Sequence, residues 1–257
     1  MTQNEQLDYL LTCLLSEKEA HQGISIPENI LEKQRLLRSL MNLRPPAPVS
    51  KDFLKVQDIY LRERLDEKGI TKKEDLTPVQ PRRYLWQGDI TTLAVDAIVN
   101  AANSQLLGCF VPCHSCIDNA IHSAAGVQLR LECADIMARQ QSREPAGRAK
   151  ITRAYNLPCR YILHTVGPFI SGTVTDNDCR LLSDCYNSCM ELAESYELKS
   201  IAFCCISTGE FHFPAELAAQ IAVQSVSAYQ QKRSNDIEVI FNVFTDRDYE
   251  IYKRLLR

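Results

Sequence analysis

The 257-residue chain has no apolar run approaching the length of a membrane span, which excludes an α-helix crossing a bilayer. It has no strong charge of either sign. A net charge of −3 provides no electrostatic footprint for nucleic acid, so an anionic ligand has to be met by a local site. The paired C-x-x-C knuckles of structural zinc fingers are missing. Eleven cysteines are present, but they are scattered, odd in number and preceded by a polar start with no apolar leader. That pattern excludes a disulfide scaffold and leads us to expect reduced thiols and a cytoplasmic protein. Residues 1–80 also lack any cluster of catalytic residue types.

What those first eighty residues do contain is helical periodicity. Leu7, Leu10, Leu11, Leu14 and Leu15 recur at helical spacing, and Ile30, Leu31, Leu37, Leu40 and Met41 follow Pro27 and Glu28, residues suited to a first turn. R-P-P-A-P at 44–48 breaks the pattern, and Phe53, Leu54, Val56, Ile59, Tyr60 and Leu61 begin a third amphipathic run. We read 1–80 as a helical N-terminal extension serving as a packing layer or partner surface, and 81–257 as the main domain. From Tyr84 the character changes to strands over 83–87, 97–100, 150–156, 161–165, 200–206 and 238–244. Helices are expected over 117–124, 128–141, 178–196, 214–231 and 246–256. Strands such as I-A-F-C-C-I and V-I-F-N-V-F are nearly continuous apolar runs, as in a strand buried on both faces. The fold class is therefore α/β, with a mostly parallel or mixed sheet between helical layers.

In such sheets ligands sit at the carboxyl ends of the strands. Three loops there carry chemistry. Q-G-D-I-T at 87–91 presents Asp89 beside Ile90, N-A-A-N-S at 100–104 places two amides at a strand end, and S-T-G-E-F at 207–211 offers small side chains and backbone N–H groups ahead of a helix, a cradle for phosphate oxygens. Singly, Asp89 reads equally as a turn residue, Asn100 and Asn103 as satisfiers of buried backbone, and S-T-G as a helix start. Together they describe a site for a nucleotide with sugar hydroxyls and a diphosphate.

The stretch 108–126, G-C-F-V-P-C-H-S-C-I-D-N-A-I-H-S-A-A-G, packs Cys109, Cys113, His114 and Cys116 into eight residues. Thiolates and an imidazole so close together suit zinc, and three ligands with an open position let a metal touch substrate. Pro112 stiffens the loop so that Cys109 can curl back over His114 and Cys116. Cys113, adjacent to His114, would need a strained backbone to face the same ion and is read as a spectator. The same cysteines also fit ordinary buried thiols.

Over about two thirds of its length, from residue 84 on, the chain resembles a macrodomain, the ADP-ribose-binding module. The resemblance is carried by Q-G-D-I-T, V-D-A-I-V-N-A-A-N-S, I-D-N-A-I-H-S-A-A-G, G-R-A-K-I-T-R-A-Y-N-L-P, I-L-H-T-V-G-P and C-I-S-T-G. Where hydrolytic members usually have a run of glycines this chain has G-C-F-V-P-C-H-S-C, and after S-T-G-x-F it has His212 in place of glycine. Both departures resemble the zinc-containing microbial branch, which also carries a helical N-terminal extension.

The resemblance implies a three-layer α/β/α macrodomain with a mixed central sheet, and an enzyme that removes mono-ADP-ribose from aspartate or glutamate side chains with one Zn2+ at the site. It implies that Asp89 accepts from the adenine amino group, with the Ile90 backbone against the same ring. Cys116, Ile117 and Asp118, with Ser207, Thr208, Gly209, Glu210 and Phe211, would hold the diphosphate, with Phe211 against the distal ribose. Asn103 would hold that ribose, and Asp118 matches the acidic residue of related hydrolases; these two are the expected catalytic pair. Cys109, His114 and Cys116 are the expected metal ligands, while Asn242 and Phe244 would line the adenine pocket. His122 and His164 sit inside apolar runs and are expected to be structural. A reader that binds ADP-ribose without turnover, or an O-acetyl-ADP-ribose deacetylase, would use the same pocket. By resemblance the protein partner is a lipoyl-carrier-like protein modified by a sirtuin-type transferase, with no nucleic acid and no membrane.

Overall fold

The structure, a computed structural model, describes residues 1–21, 23–233 and 236–257. It opens with helices α1 (Gln3–Ser16), α2 (Ile30–Leu43) and α3 (Lys51–Lys68). Each starts on a side chain that accepts from an otherwise orphaned first-turn N–H: Thr2 from Glu5, Asn29 from Leu31 and Glu32, Ser50 from Phe53. Leu7, Leu10, Leu11 and Leu14 form one stripe of α1 and bury it against Leu37, Leu40 and Met41 of α2 and Phe53 and Tyr60 of α3. Full burial of each such leucine stabilises by roughly 2 kcal/mol relative to exposure. Val127 completes this cluster from the main domain.

Next come β1 (Thr71–Lys72), β2 (Pro78–Gln80), β3 (Arg83–Gln87), β4 (Leu93–Ala94) and β5 (Ala97–Ala101). They are followed by α4 (Ile117–Ala125), α5 (Val127–Gln140), β6 (Ala149–Arg153), β7 (Tyr161–Thr165), α6 (Asp176–Ser195), β8 (Ser200–Phe203), α7 (Ala215–Arg233), β9 (Glu238–Val243) and α8 (Asp246–Leu255). Seven strands form one sheet in the order β2-β3-β9-β8-β5-β7-β6, and β1 pairs separately with β4. The five inner strands are parallel, while both edge pairs, β2 with β3 and β6 with β7, are antiparallel. The sheet is therefore mixed, as expected, and every residue of β8 is buried. Among the described residues no helix is long and apolar enough to cross a membrane.

Two expected strands end early. The run at 200–206 leaves the sheet after Phe203, and that at 150–156 leaves after Arg153, where Tyr155 turns at φ 55° and Leu157 donates to the Ala154 carbonyl. The two-residue strands β1 and β4 are too short to show a period in sequence. The expected helical extension over 1–80 is helical only to Lys68: β1 and a 3-10 turn follow, and the sheet itself begins at Pro78 within that stretch.

Strand order places the ligand crevice. From β5 the chain runs through α4 and α5 to β6 and β7 on one side, whereas β8 and β9 lie on the other. Right-handed crossovers in opposite directions put their helices on opposite faces. The loops after β5 and β8 therefore part from each other and open a crevice at the strand carboxyl ends, the topological switch point.

Candidate active site

At that switch point lies a cavity of about 1050 Å³ lined by Asp89, Asn103, Asp118, Ser207, Phe211 and Asn242, among others. This is ample for a ligand of dinucleotide scale. Its far wall comes from the helical extension: Leu37 and Arg38 of α2 and Tyr60, Arg64 and Lys68 of α3 face it.

At one end, Asp89 caps the short 3-10 turn Ile90–Thr92. Its Oδ1 accepts from the Thr91 backbone at 3.0 Å and from the Thr91 hydroxyl at 2.6 Å, and its Oδ2 from Lys68 Nζ at 3.0 Å. Burial pushes the carboxyl up, but the Thr91 and Lys68 hydrogen bonds and the Lys68 charge outweigh it and hold Asp89 below its ordinary value. Ile90 is buried, and Asn242 fixes the backbone ahead of it by donating to Gly88 O at 2.9 Å. Phe244 stands exposed at the rim.

At the other end Asn103 and Asp118 meet. Asn103 Nδ2 donates to Asp118 Oδ2 at 3.2 Å and to Gly108 O at 3.1 Å, while its Oδ1 accepts from Gln105 N at 2.9 Å. Asp118, in the first turn of α4, is 5% exposed, and its Oδ1 accepts from Asn100 Nδ2 at 2.8 Å. Burial raises the Asp118 carboxyl to about 6 against the pull of the Asn100 and Asn103 amides and the Arg130 charge. The carboxylate fixes the Asn100 amide with its nitrogen inward, and that nitrogen also donates to His164 Nδ1 at 3.1 Å. His164 Nε2 therefore carries the proton and donates to Thr152 Oγ1 at 2.9 Å. Burial depresses His164 to about 3 and His122 well below its ordinary value. Ligand atoms of His122, Cys133 and His164 also lie within 4.8 Å of one another, but both His164 nitrogens are engaged, so this buried trio is core packing.

The cysteine loop lies beside this pair: it starts at Gly108, whose carbonyl accepts from Asn103, and ends at Cys116, the cap of the helix that carries Asp118. Ligand atoms of Cys109, His114 and Cys116 lie within 4.8 Å of one another and form a group able to hold a metal ion. The donor set fits: two thiols and an imidazole whose buried Nδ1 has no hydrogen-bond partner among the described residues. His114 Nε2 stands 3.5 Å from Glu210 Oε1. Cys116 caps α4, its Sγ accepting from Asn119 N at 3.4 Å, and burial pushes its thiol up to about 12. Cys113 turns the other way, its Sγ donating to Arg35 O at 3.3 Å. Gly108 admits the close approach, since at φ 79° a Cβ there would sit 2.7 Å from the His122 ring.

Ser207 to Phe211 form the opposite lip, but not as a helix N-terminus. Helix α7 begins only at Ala215, and the segment is a tight turn with Ser207 at φ 66°, closed by His212 N to Gly209 O at 3.0 Å and Phe213 N to Ser207 O at 2.9 Å. The helix N-terminus at the site is that of α4, where Cys116, Ile117 and Asp118 stand. Phe211 is braced edge-on by Phe169 at 5.8 Å between ring centroids. Sequence reading did not find Lys68, Arg38 or Asn119 at the site. Asn119 stood within the I-D-N motif, while the two cations sat on helices whose only visible signal was an apolar stripe.

Fold and site together define a three-layer α/β/α domain with one large cavity at the strand carboxyl ends, lined by the carboxylates, amides and thiols described above. The sequence profile of the Macro domain family matches residues 99–222. The chain is 54% identical over 260 residues to a protein-ADP-ribose hydrolase of Treponema medium, covering 100% of both. It is 47% identical over 250 residues to a protein-ADP-ribose hydrolase of Staphylococcus aureus (strain MSSA476), covering 96% of this chain and 94% of that one. The crystal structure of a Trypanosoma brucei macrodomain in complex with ADP-ribose is similar at TM-score 0.67 and 30% identity, over 85% of this chain and 95% of the other. The chain belongs to the macrodomain family.

Proposed function

We propose that this protein hydrolyses the bond between mono-ADP-ribose and an aspartate or glutamate side chain, using one zinc ion. The observation that carries the reading is the meeting of the Asn103–Asp118 pair and the Cys109, His114, Cys116 donor set at one end of the cavity. A pocket that only binds has no need of a three-ligand metal loop. The names of the Treponema medium and Staphylococcus aureus relatives support hydrolysis of protein-linked ADP-ribose.

In this reading Asp89, held ionised, accepts from the adenine amino group, and the Ile90 backbone lies against the ring. The first turn of α4, Cys116 to Asp118, and the turn from Ser207 through Thr208, Gly209 and Glu210 to Phe211 hold the diphosphate, with Phe211 against the distal ribose. Asn103 donates to that ribose near the anomeric carbon and holds it for attack. Asp118, behind Asn103, orients the water or takes up its proton. Cys109, His114 and Cys116 would hold the zinc ion, which would supply Lewis-acid polarisation of a water or of a ribose or phosphate oxygen. The substrate is an ADP-ribosylated protein of lipoyl-carrier type, and the setting is the reducing cytoplasm, where cysteines remain thiols.

The test is release of free ADP-ribose from a protein modified on aspartate or glutamate, with the full chain loaded with zinc. Rapid release that falls on chelation is expected. Tight ADP-ribose binding without release would overturn the hydrolase reading and make the protein a reader.

A further inference from the structure

The cysteine loop does not rest on the macrodomain core alone. Helix α2 of the extension runs beside it and holds it at its middle and end. Arg38 Nη2 donates to His114 O at 2.9 Å, and Arg38 Nε and Nη2 donate to Asn119 Oδ1 at 3.0 and 2.8 Å. Asn119 passes the restraint on, its Nδ2 donating to Val111 O at 2.9 Å. Asn42 Oδ1 accepts from Cys113 N at 2.9 Å, and the Cys113 thiol donates to Arg35 O. The start of the loop is tied to the same helix through α5. Arg130 Nε donates to Leu107 O at 2.6 Å, its guanidinium lies 4.3 Å over the Phe110 ring, and its Nη1 donates to the carbonyls of Met41, Asn42 and Arg44 at the end of α2.

These contacts do specific work on the donor set. The His114 carbonyl is held by Arg38, so the imidazole leaves the backbone in one direction. Cys113 has φ 53°, a left-handed conformation that costs a non-glycine residue about 1 kcal/mol or more and persists only where its surroundings over-determine it. Here Asn42 holds its N–H and Arg35 O its thiol. The thiol next in sequence to His114 is thereby kept on α2, and the loop presents three donors rather than four. Asn42, Asn119 and Arg130 are each 5% exposed or less, so removing a partner strands a buried polar group.

We propose that helix α2 positions the metal site, with Arg38 and Asn42 as positioning residues that set Cys109, His114 and Cys116 in place before an ion arrives and withhold Cys113. This rests on the metal-site reading above. The ordering of the loop is met on folding instead of on metal binding, and outer partners that orient metal ligands typically govern affinity by 10–100-fold.

The experiment uses the full chain and two variants, Arg38→Met and Asn42→Ala, with three readouts: zinc affinity by chelator competition, the absorption spectrum of the cobalt-substituted protein, and thermal melting of the metal-free protein. We expect zinc affinity to fall about tenfold or more in both variants, with an altered cobalt spectrum in folded protein. Affinity within twofold of the parent and an unchanged spectrum would overturn the inference. Should Arg38→Met fail to fold, Arg38→Lys, which keeps the charge and loses the planar fork, is judged by the same two metal readouts. A parent protein that takes up neither zinc nor cobalt would instead overturn the metal-site reading on which the inference stands.

Discussion

Lys68, the last residue of α3, places its ammonium 3.0 Å from Asp89 Oδ2, so the extension reaches the residue assigned to the adenine amino group. Both side chains are substantially exposed, at 49% and 40%, and an ion pair of that kind is worth about 0–1 kcal/mol. Lys68→Ala is therefore expected to change ADP-ribose affinity less than about fivefold. Asp89→Ala, which removes a charged acceptor, is expected to weaken it by about 10–100-fold. Calorimetry with ADP-ribose and with ribose 5-phosphate separates the two ends of the pocket: if Asp89→Ala weakened both ligands alike, the adenine assignment would fail.

Asn103→Ala removes the amide between Gly108 O and Asp118 Oδ2. Turnover should drop by about a hundredfold or more while ADP-ribose affinity stays within a few fold, since holding the ribose for attack affects rate more than binding. Single-turnover release and calorimetry check this, and release at the parental rate would exclude the role.

Cys116 has two tasks, and Cys116→Ser separates them. Serine is the better helix cap, so the melting temperature of the metal-free protein should hold or rise, while zinc stoichiometry should fall from about one per chain towards zero. Metal analysis after dialysis gives the answer. Undiminished zinc in this variant would remove Cys116 from the ligand set.

His164 makes the fold sensitive to acid. Its folded value of about 3 lies below the unfolded 6.5, so the unfolded chain binds more protons as pH falls below 6.5 and stability is lost progressively down to about 3. Between pH 7 and pH 5 this amounts to about 2 kcal/mol. His122, depressed by the same burial, acts in the same direction. Asp118 acts oppositely: raised to about 6, it gains stability as pH falls. Urea unfolding of His164→Gln, a neutral side chain able to meet Asn100 and Thr152, isolates the histidine. Its stability should fall by about 2 kcal/mol less than the parent's over that interval, and parallel losses would refute the assignment.

The parts of this molecule legible in sequence are those encoded by neighbours along the chain. The strands at 83–87 and 161–165 match β3 and β7 residue for residue, because alternation and apolar runs state burial directly. The stripe of Leu7, Leu10, Leu11 and Leu14 named the buried face of α1. Q-G-D-I-T and N-A-A-N-S were found because strand ends in α/β sheets are where ligands bind, and the cysteine loop because three thiols and an imidazole crowd into eight residues. The helix expected from 214 begins at Ala215, but the left-handed turn at Ser207 ahead of it left no signal, since S-T-G suits a tight turn and a helix start alike. Arg38 and Lys68 were missed for a different reason. Arg38 meets Asn119 across 81 residues, and no local period encodes a partner so distant.

That separation orders events during synthesis. Helices α1 to α3 carry all but one of the residues in their buried cluster, the exception being Val127. At about 5–20 residues per second, the ribosome takes several seconds to travel from Arg38 to Asn119, whereas helices form within about a microsecond. The docking face of α2 is therefore made before the closely spaced thiols of the loop leave the ribosome, and a nascent cysteine-rich segment emerges beside a template that takes Cys113 out of circulation.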